Sequence, residues 1–203
     1  MSPRELAVAD FNRDGQPDAA VINRISNDVS ILSTFPKSTA IASLDQVYPT
    51  DGEVVSLRII DMNGDGRDDV VELHRASADV TVRYSQPDGT LSLPEFFPVG
   101  SVPSALDPVD CNQDGILDLI TANLGRRNNG TISIRLGLPG GGFGPEKRYQ
   151  PPKDSRGLFA LSTADFDGDG LLDLAAGYFD CRVAFYRGHG DGTFTHVRNE
   201  RFT

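Results

Sequence analysis

Oxygen-bearing side chains stand at positions 1, 3, 5 and 9 of four nine-residue segments. They are Asp10, Asn12, Asp14 and Asp18; Asp61, Asn63, Asp65 and Asp69; Asp110, Asn112, Asp114 and Asp118; and Asp165, Asp167, Asp169 and Asp173. Position 6 is glycine in every copy, giving the shared form D-x-[ND]-x-D-G-x-x-D. A sharp turn at that glycine lets the four side chains converge on one point. The backbone carbonyl of position 7, contributed by Gln16, Arg67, Ile116 and Leu171, adds a fifth donor. Hard oxygen donors in this number and spacing suit Ca²⁺, so the expected cofactor is up to four structural calcium ions.

Charge supports a cation site over a general field. The four segments hold fourteen acidic side chains against Arg13 and Arg67, a net of −12 in a chain whose total is −10. The remainder is therefore slightly basic, and the acidity argues against a nucleic-acid partner. Without metal, each loop crowds three or four carboxylates together, which is self-repelling.

The loops begin at Asp10, Asp61, Asp110 and Asp165, spacings of 51, 49 and 55 residues, so each belongs to one structural repeat. An EF-hand would need an acid at position 12 and flanking helices, and neither is present. With 21 glycines and 13 prolines, the chain is punctuated too often for long helices. Aligned on the first Asp, every copy has a leucine four residues earlier: Leu6, Leu57, Leu106 and Leu161. After the last Asp come apolar runs such as Ala19–Ile22 and Leu119–Ile120, then alternating segments Val29–Ile31, Val80–Val82, Ile132–Ile134 and Val183–Phe185. Period-two alternation marks half-buried strands. A tight turn follows, as in Asp88-Gly89-Thr90 and Asp191-Gly192-Thr193, and then a fourth extended segment. Each repeat is thus four short strands, A to D, with the acidic loop between A and B. Radial repetition of such meanders gives a propeller. The expected repeats cover about 1–50, 51–100, 101–152 and 153–203 of one array.

The four motifs, their period and the Gly-Asp-Gly-Thr turn resemble the FG-GAP/VCBS-type repeats of extracellular β-propellers, including those of integrin α subunits. The resemblance covers nearly the whole chain. It implies an all-β propeller or propeller segment of four blades, with Ca²⁺ in each A–B loop at positions 1, 3, 5, 7 and 9. The literal Gly-Ala-Pro after strand B is absent, copy four having Ala176-Gly177-Tyr178, so the VCBS form fits better. Family propellers usually have seven blades. The expectation is an arc of a larger propeller, with a closed four-bladed ring as the alternative. An arc would bare apolar sheet faces and promote self-association.

No catalytic residue is expected, since every loop acid is accounted for as a ligand. His74, His189 and His196 lack metal spacing and read as solvated residues. Gly140-Gly-Gly-Phe-Gly144 lacks the lysine of a phosphate loop and reads as a hairpin turn. Cys111 and Cys181 are too few for a disulfide framework. Cys111 shares loop position 2 with Phe11, Met62 and Phe166, which predicts a buried apolar side chain. No transmembrane stretch or secretory leader is visible; an excised piece of a larger secreted protein is the expected context, because low-affinity calcium loops suit millimolar calcium, and an intracellular protein is the alternative. In an antiparallel blade the A–B and C–D links share one end. The opposite end, formed by B–C and D–A links, is free for ligands and gathers Arg126, Arg127, Lys153 and Arg156. A protein (acidic) or glycan partner is expected there, with an ordinary solvated loop as the alternative, and Asn129-Gly-Thr131 is a glycosylation sequon that matters only in a eukaryotic secretory pathway. The functional expectation is a calcium-stabilised recognition or adhesion module at the cell surface or outside the cell. The alternatives are a carbohydrate-binding or accessory propeller of a secreted enzyme, or a scaffold.

Overall fold

The computed structural model describes residues 3–11, 14–23, 25–34, 42–50, 52–126, 130–152 and 155–202. Asn12, Arg13, Arg127, Asn129 and Lys153 lie outside them.

The described chain is all-β: four four-stranded sheets, each running in sequence order with hydrogen-bonded neighbours. The first is β1 (Pro3–Ala9), β2 (Asp18–Asn23), β3 (Asp28–Thr34) and β4 (Ala42–Pro49). The second is β5 (Val54–Ile60), β6 (Asp69–His74), β7 (Asp79–Arg83) and β8 (Glu95–Pro98). The third is β9 (Pro103–Val109), β10 (Asp118–Asn123), β11 (Thr131–Arg135) and β12 (Lys147–Tyr149). The fourth is β13 (Leu158–Ala164), β14 (Asp173–Tyr178), β15 (Arg182–Gly188) and β16 (Phe194–Arg201). These are β-propeller blades, and each acidic loop joins the first strand of a blade to the second.

Strand position in the blade sets composition. The second strands β6 and β10 are buried along their whole length, while the fourth strands β8 and β12 are largely exposed. A strand covered on both faces tolerates a continuous apolar run, as in Val70-Val71 and Leu119-Ile120. Each first strand carries a register shift near its start, between Pro3 and Glu5, Val54 and Ser56, Pro103 and Ala105, and Leu158 and Ala160. A bulge repeated at one place in every blade is a built feature that re-aims the extra residue.

The chain forms two compact units, residues 1–96 and 97–203. In the first, Ile22, Val29 and Ile31 of one sheet pack with Val54, Leu57 and Val70 of the next. Glu5 accepts the Leu57 N–H at 2.9 Å, tying the neighbouring first strands. In the second, Ile120, Ile132 and Ile134 pack with Leu174, Ala176 and Tyr186. Here Thr163 donates to Asp107 at 2.7 Å and Ser104 to the Leu158 carbonyl at 3.2 Å. The Tyr48 hydroxyl accepts the Leu91 N–H at 2.9 Å in the first unit, and Tyr149 accepts that of Phe194 at 3.3 Å in the second. The two units are thus built on one plan.

Candidate metal loops and recognition face

In each loop the first aspartate sits inside a cup of backbone N–H groups. Asp10 accepts from Asp14 and Gly15 at 3.1 and 2.9 Å. Asp110 accepts from Asp114 and Gly115 at 3.2 and 2.8 Å. Asp61 accepts from Gly64, Asp65 and Gly66, and Asp165 from Gly168, Asp169 and Gly170. The glycine at position 6 has φ between 80° and 86° in all four copies, the left-handed turn that aims these amides inward. The Gly170 N–H bond, with those of Gly168 and Asp169, holds the Asp165 carboxyl below the usual range.

The fifth-position aspartates close a second, smaller turn. Asp14, Asp65, Asp114 and Asp169 accept the N–H of Gln16, Arg67, Ile116 and Leu171 at 2.8 to 2.9 Å. At position 3, Asn63, Asn112 and Asp167 accept the N–H of the fifth residue at 3.0 to 3.2 Å. In the second, third and fourth loops the side chains of positions 1, 3 and 5 therefore face one loop interior by local backbone bonding, and in the first loop positions 1 and 5 do.

The ninth-position aspartates have a further task. Asp69, Asp118 and Asp173 lie at the start of their strands, each at most 5 % exposed. One carboxylate oxygen accepts the N–H of loop position 2: Met62 and Cys111 at 2.9 Å, Phe166 at 3.1 Å. The other accepts the N–H at the exit of the third strand: Ser85 and Gly137 at 2.8 Å, Gly188 at 2.9 Å. Asp18 makes the first of these bonds to Phe11 at 3.1 Å. This residue latches the loop to the far side of its own blade. Burial outweighs the amide bonds and pushes the Asp69 carboxyl up to about 6, and burial raises Asp118 as well.

Among the described residues, Asp165, Asp167 and Asp173 bring carboxylate oxygens within 4.8 Å of one another. Two loops also carry an arginine counter-ion. Arg67 pairs with Asp65 and donates to the Ser85 carbonyl at 2.9 Å, and Arg187 pairs with Asp167 at 2.5 Å. The Gln113 amide of the third loop donates to the Gly170 carbonyl of the fourth at 2.7 Å.

At the opposite end of the second unit, Arg126 and Arg156 are exposed. Leu124, which leads to Arg126, lies against Gly157, which follows Arg156, so the two links meet. Sequence reasoning missed the aromatic pair beside them. Phe159, the bulge residue of β13, stacks on Phe179 with centroids 4.8 Å apart, and the rings are 42 % and 61 % exposed. Cys181, in the same turn as Phe179, is exposed, whereas Cys111 is buried and burial pushes its thiol far up.

Two sequence expectations are corrected. His74 is not solvated: it is 1 % exposed and its Nε2 lies 3.1 Å from the buried Glu72. The face of β6 that carries it packs into the seam between the two sheets of its unit, so a strand-end position does not mean a wet one. Phe166 is 49 % exposed, unlike Phe11, Met62 and Cys111 at the same loop position. It packs edge-on against Phe185 of its own sheet, with no later sheet among the described residues to cover it. His189 and His196 are exposed and face Thr195 and Asn199.

No curated protein matches the chain by sequence. Among solved structures, an Agrocybe aegerita lectin described as recognising non-reducing terminal N-acetylglucosamine superposes with a TM-score of 0.65 at 20% identity, over 96% of this chain and 51% of its own. A Lactobacillus plantarum protein gives 0.64 at 18% identity, over 98% and 57%. BBS1N, solved in complex with ARL6DN, gives 0.65 at 11% identity, over 98% and 57%. At these identities the likeness is one of fold, and the chain spans little more than half the length of each. The FG-GAP-like repeat pattern matches residues 61–121, 110–176 and 165–203, an unbroken stretch over most of the chain. The first loop lies outside that stretch yet has the same amide cup and the same strand order as the other three. By sequence match and repeated loop geometry alike, the chain belongs to the FG-GAP-like repeat family.

Proposed function

We propose that this chain is a calcium-stabilised recognition module, with Ca²⁺ held in the four A–B loops and ligands met at the opposite end of the blades. The observation that carries the metal reading is the inward turn of positions 1 and 5 in the four loops and of position 3 in the last three, with the convergence of Asp165, Asp167 and Asp173 oxygens within 4.8 Å. The donors are carboxylates and amides only, which suits a hard cation. The residues that would hold the ions are those at positions 1, 3, 5 and 9, with the position-7 carbonyl. A bound ion would neutralise clustered carboxylates and couple metal binding to folding. No residue is proposed as catalytic, and the calcium reading favours an extracellular setting. Among the described residues no helix is long and apolar enough to cross a membrane.

Thermal unfolding after chelation, with millimolar CaCl₂ or MgCl₂ added back, tests the metal reading. The expected result is a rise in Tm selective for Ca²⁺, because a ligand that binds only the folded state stabilises it by mass action. No shift would refute it.

The recognition reading is supported by the exposed Phe159–Phe179 pair, with exposed Arg126 and Arg156 on the two links that meet there, since aromatic and arginine side chains dominate binding hot spots. The lectin of similar fold makes glycans the first partners to try. Binding of the calcium-loaded chain to a glycan array, compared with Phe179→Ser and Arg156→Glu variants, tests it. Loss of binding in the variants is expected; unchanged binding would move the contact elsewhere.

A further inference from the structure

The two units share one plan, yet the seams between their sheets are filled differently. In the second unit, β14 and β15 present Ala176, Tyr178, Ala184 and Tyr186, each at most 3 % exposed, and the two tyrosine hydroxyls lie 3.4 Å apart. Register identifies the matching positions of the first unit. Leu174 pairs with Tyr186 as Val70 pairs with Arg83, and Ala176 pairs with Ala184 as Glu72 pairs with Thr81. The apolar set is therefore replaced by Glu72, His74, Thr81 and Arg83, which are 0, 1, 1 and 6 % exposed.

Those four groups satisfy one another only in part: Glu72 pairs with His74 and forms an ion pair with Arg83, but one polar atom of each residue is left over. Glu72 Oε2 faces His74 Nε2 at 3.1 Å, and Arg83 donates to the Pro49 carbonyl at 2.7 Å while lying over the Tyr48 ring. Arg83 Nε and Glu72 Oε1 stand 3.7 Å apart, too far for a hydrogen bond. Glu72 Oε1, His74 Nδ1, Thr81 Oγ1 and Arg83 Nε are all buried without a hydrogen-bond partner. Folded proteins rarely leave so many polar atoms unmet in one place. All four residues line a cavity of about 340 Å³. Tyr48, Leu91, Leu93 and Phe96 also line it, and Leu93 and Phe96 are 88 % and 47 % exposed, so it has a polar floor and an apolar rim open to solvent.

We propose that this seam cavity binds a small neutral polyhydroxylated molecule, the size of a single pyranose ring. The unmet atoms select the chemistry. With the Nε2 proton directed at Glu72, His74 Nδ1 is an acceptor, as is Glu72 Oε1; Arg83 Nε is a donor; and Thr81 can be either. An anion brings only acceptors and would face Glu72. A cation would face Arg83. An apolar molecule leaves all four atoms unmet. A hydroxyl both donates and accepts, so one group can bridge Glu72 Oε1 and Arg83 Nε once a small side-chain shift brings them to the cavity wall, and Tyr48 and Phe96, which line the cavity, add apolar surface for the C–H groups of a sugar ring. The cavity volume falls in the ordinary range for small-molecule sites. The inference rests neither on the calcium loops nor on the Phe159–Phe179 face, and its failure would leave both readings standing.

Saturation-transfer NMR and calorimetric titration of the full chain in calcium test the proposal. The probes are the methyl glycosides of glucose, galactose, mannose and N-acetylglucosamine, with glucuronate and glucosamine as charged controls. At least one neutral glycoside is expected to bind saturably and to shift the Tyr48 ring resonances. Thr81→Val, which keeps side-chain shape, and Glu72→Gln are each expected to weaken binding by about tenfold or more, the loss of a hydrogen bond in a buried polar site. Arg148→Ala, at an exposed position of β12 outside both the cavity and the Phe159–Phe179 face, is expected to bind like the parent. Should Glu72→Gln fail to fold, Thr81→Val and the Tyr48 shifts decide. The proposal is overturned by no saturable signal from any neutral glycoside, by preference for a charged control, by unchanged affinity in Thr81→Val, or by a soaked crystal with only ordered water between Glu72 and Arg83.

Discussion

Asp118 is nearly solvent-free, and its two oxygens accept amide protons from Cys111 and Gly137, so it serves the blade with or without a cation. Asp114, five residues into the same loop, is exposed and closes only a local turn. The two should therefore separate in urea melts. Asp118→Ala is expected to destabilise the calcium-free protein by about 3 kcal/mol, because two buried donors lose their acceptor. Asp114→Ala should cost little without calcium and remove part of the calcium increment. Equal losses in both conditions would refute that division. Proton linkage gives a second residue-scale expectation. The folded state holds the Asp69 proton more tightly than the unfolded chain, with a value of about 6 against an ordinary 3.8. Its contribution to the stability of the calcium-free protein is therefore fully present below pH about 4, falls between about 4 and 6, and stays low above. Carboxyl ¹³C titration of the chelated protein should show Asp69 ionising near 6 and Asp165 below the ordinary range. Asp69 titrating with the exposed carboxylates would refute it.

The loop–strand corner contains two kinds of glycine. Gly115 has φ +85° and open space where an alanine methyl would sit, so conformation alone requires it. Gly137 has ordinary φ, but a Cβ there would run into the Leu117 carbonyl oxygen as its N–H reaches Asp118. Gly115→Ala is expected to cost about 1–2 kcal/mol, the left-handed penalty of an L-residue, and Gly137→Ala more, because backbone must move. Chemical denaturation of the two variants checks the order. Much of this element was legible in the sequence: spacing gave the loop, and the alternation around Val80 and Ile132 gave the third strands. What stayed hidden was which strand face enters a seam. His74 read as a strand-end residue because one repeat alone does not reveal that its column holds Tyr178 in another. Aligning Glu72 with Ala176 and Arg83 with Tyr186 was the available signal. The latch role of the ninth aspartate was hidden for a different reason, since its Ser85, Gly137 and Gly188 partners lie 15 to 19 residues downstream.

Over the whole molecule the net charge is −10, concentrated in the loops. Loading four divalent ions would bring it close to neutrality. Raising NaCl should therefore stabilise the chelated protein by screening the loop carboxylates, and shrink the increment that calcium adds, since the cation and salt relieve the same repulsion. Melting curves at low and high ionic strength, with and without calcium, measure both trends, and an increment independent of salt would refute the electrostatic account. The two thiols have a practical consequence. Cys111 is sealed inside its seam while Cys181 stands open beside Phe179. A maleimide dye should attach once per chain, at Cys181, without mutagenesis, and so place a fluorescent reporter next to the surface where a partner is sought.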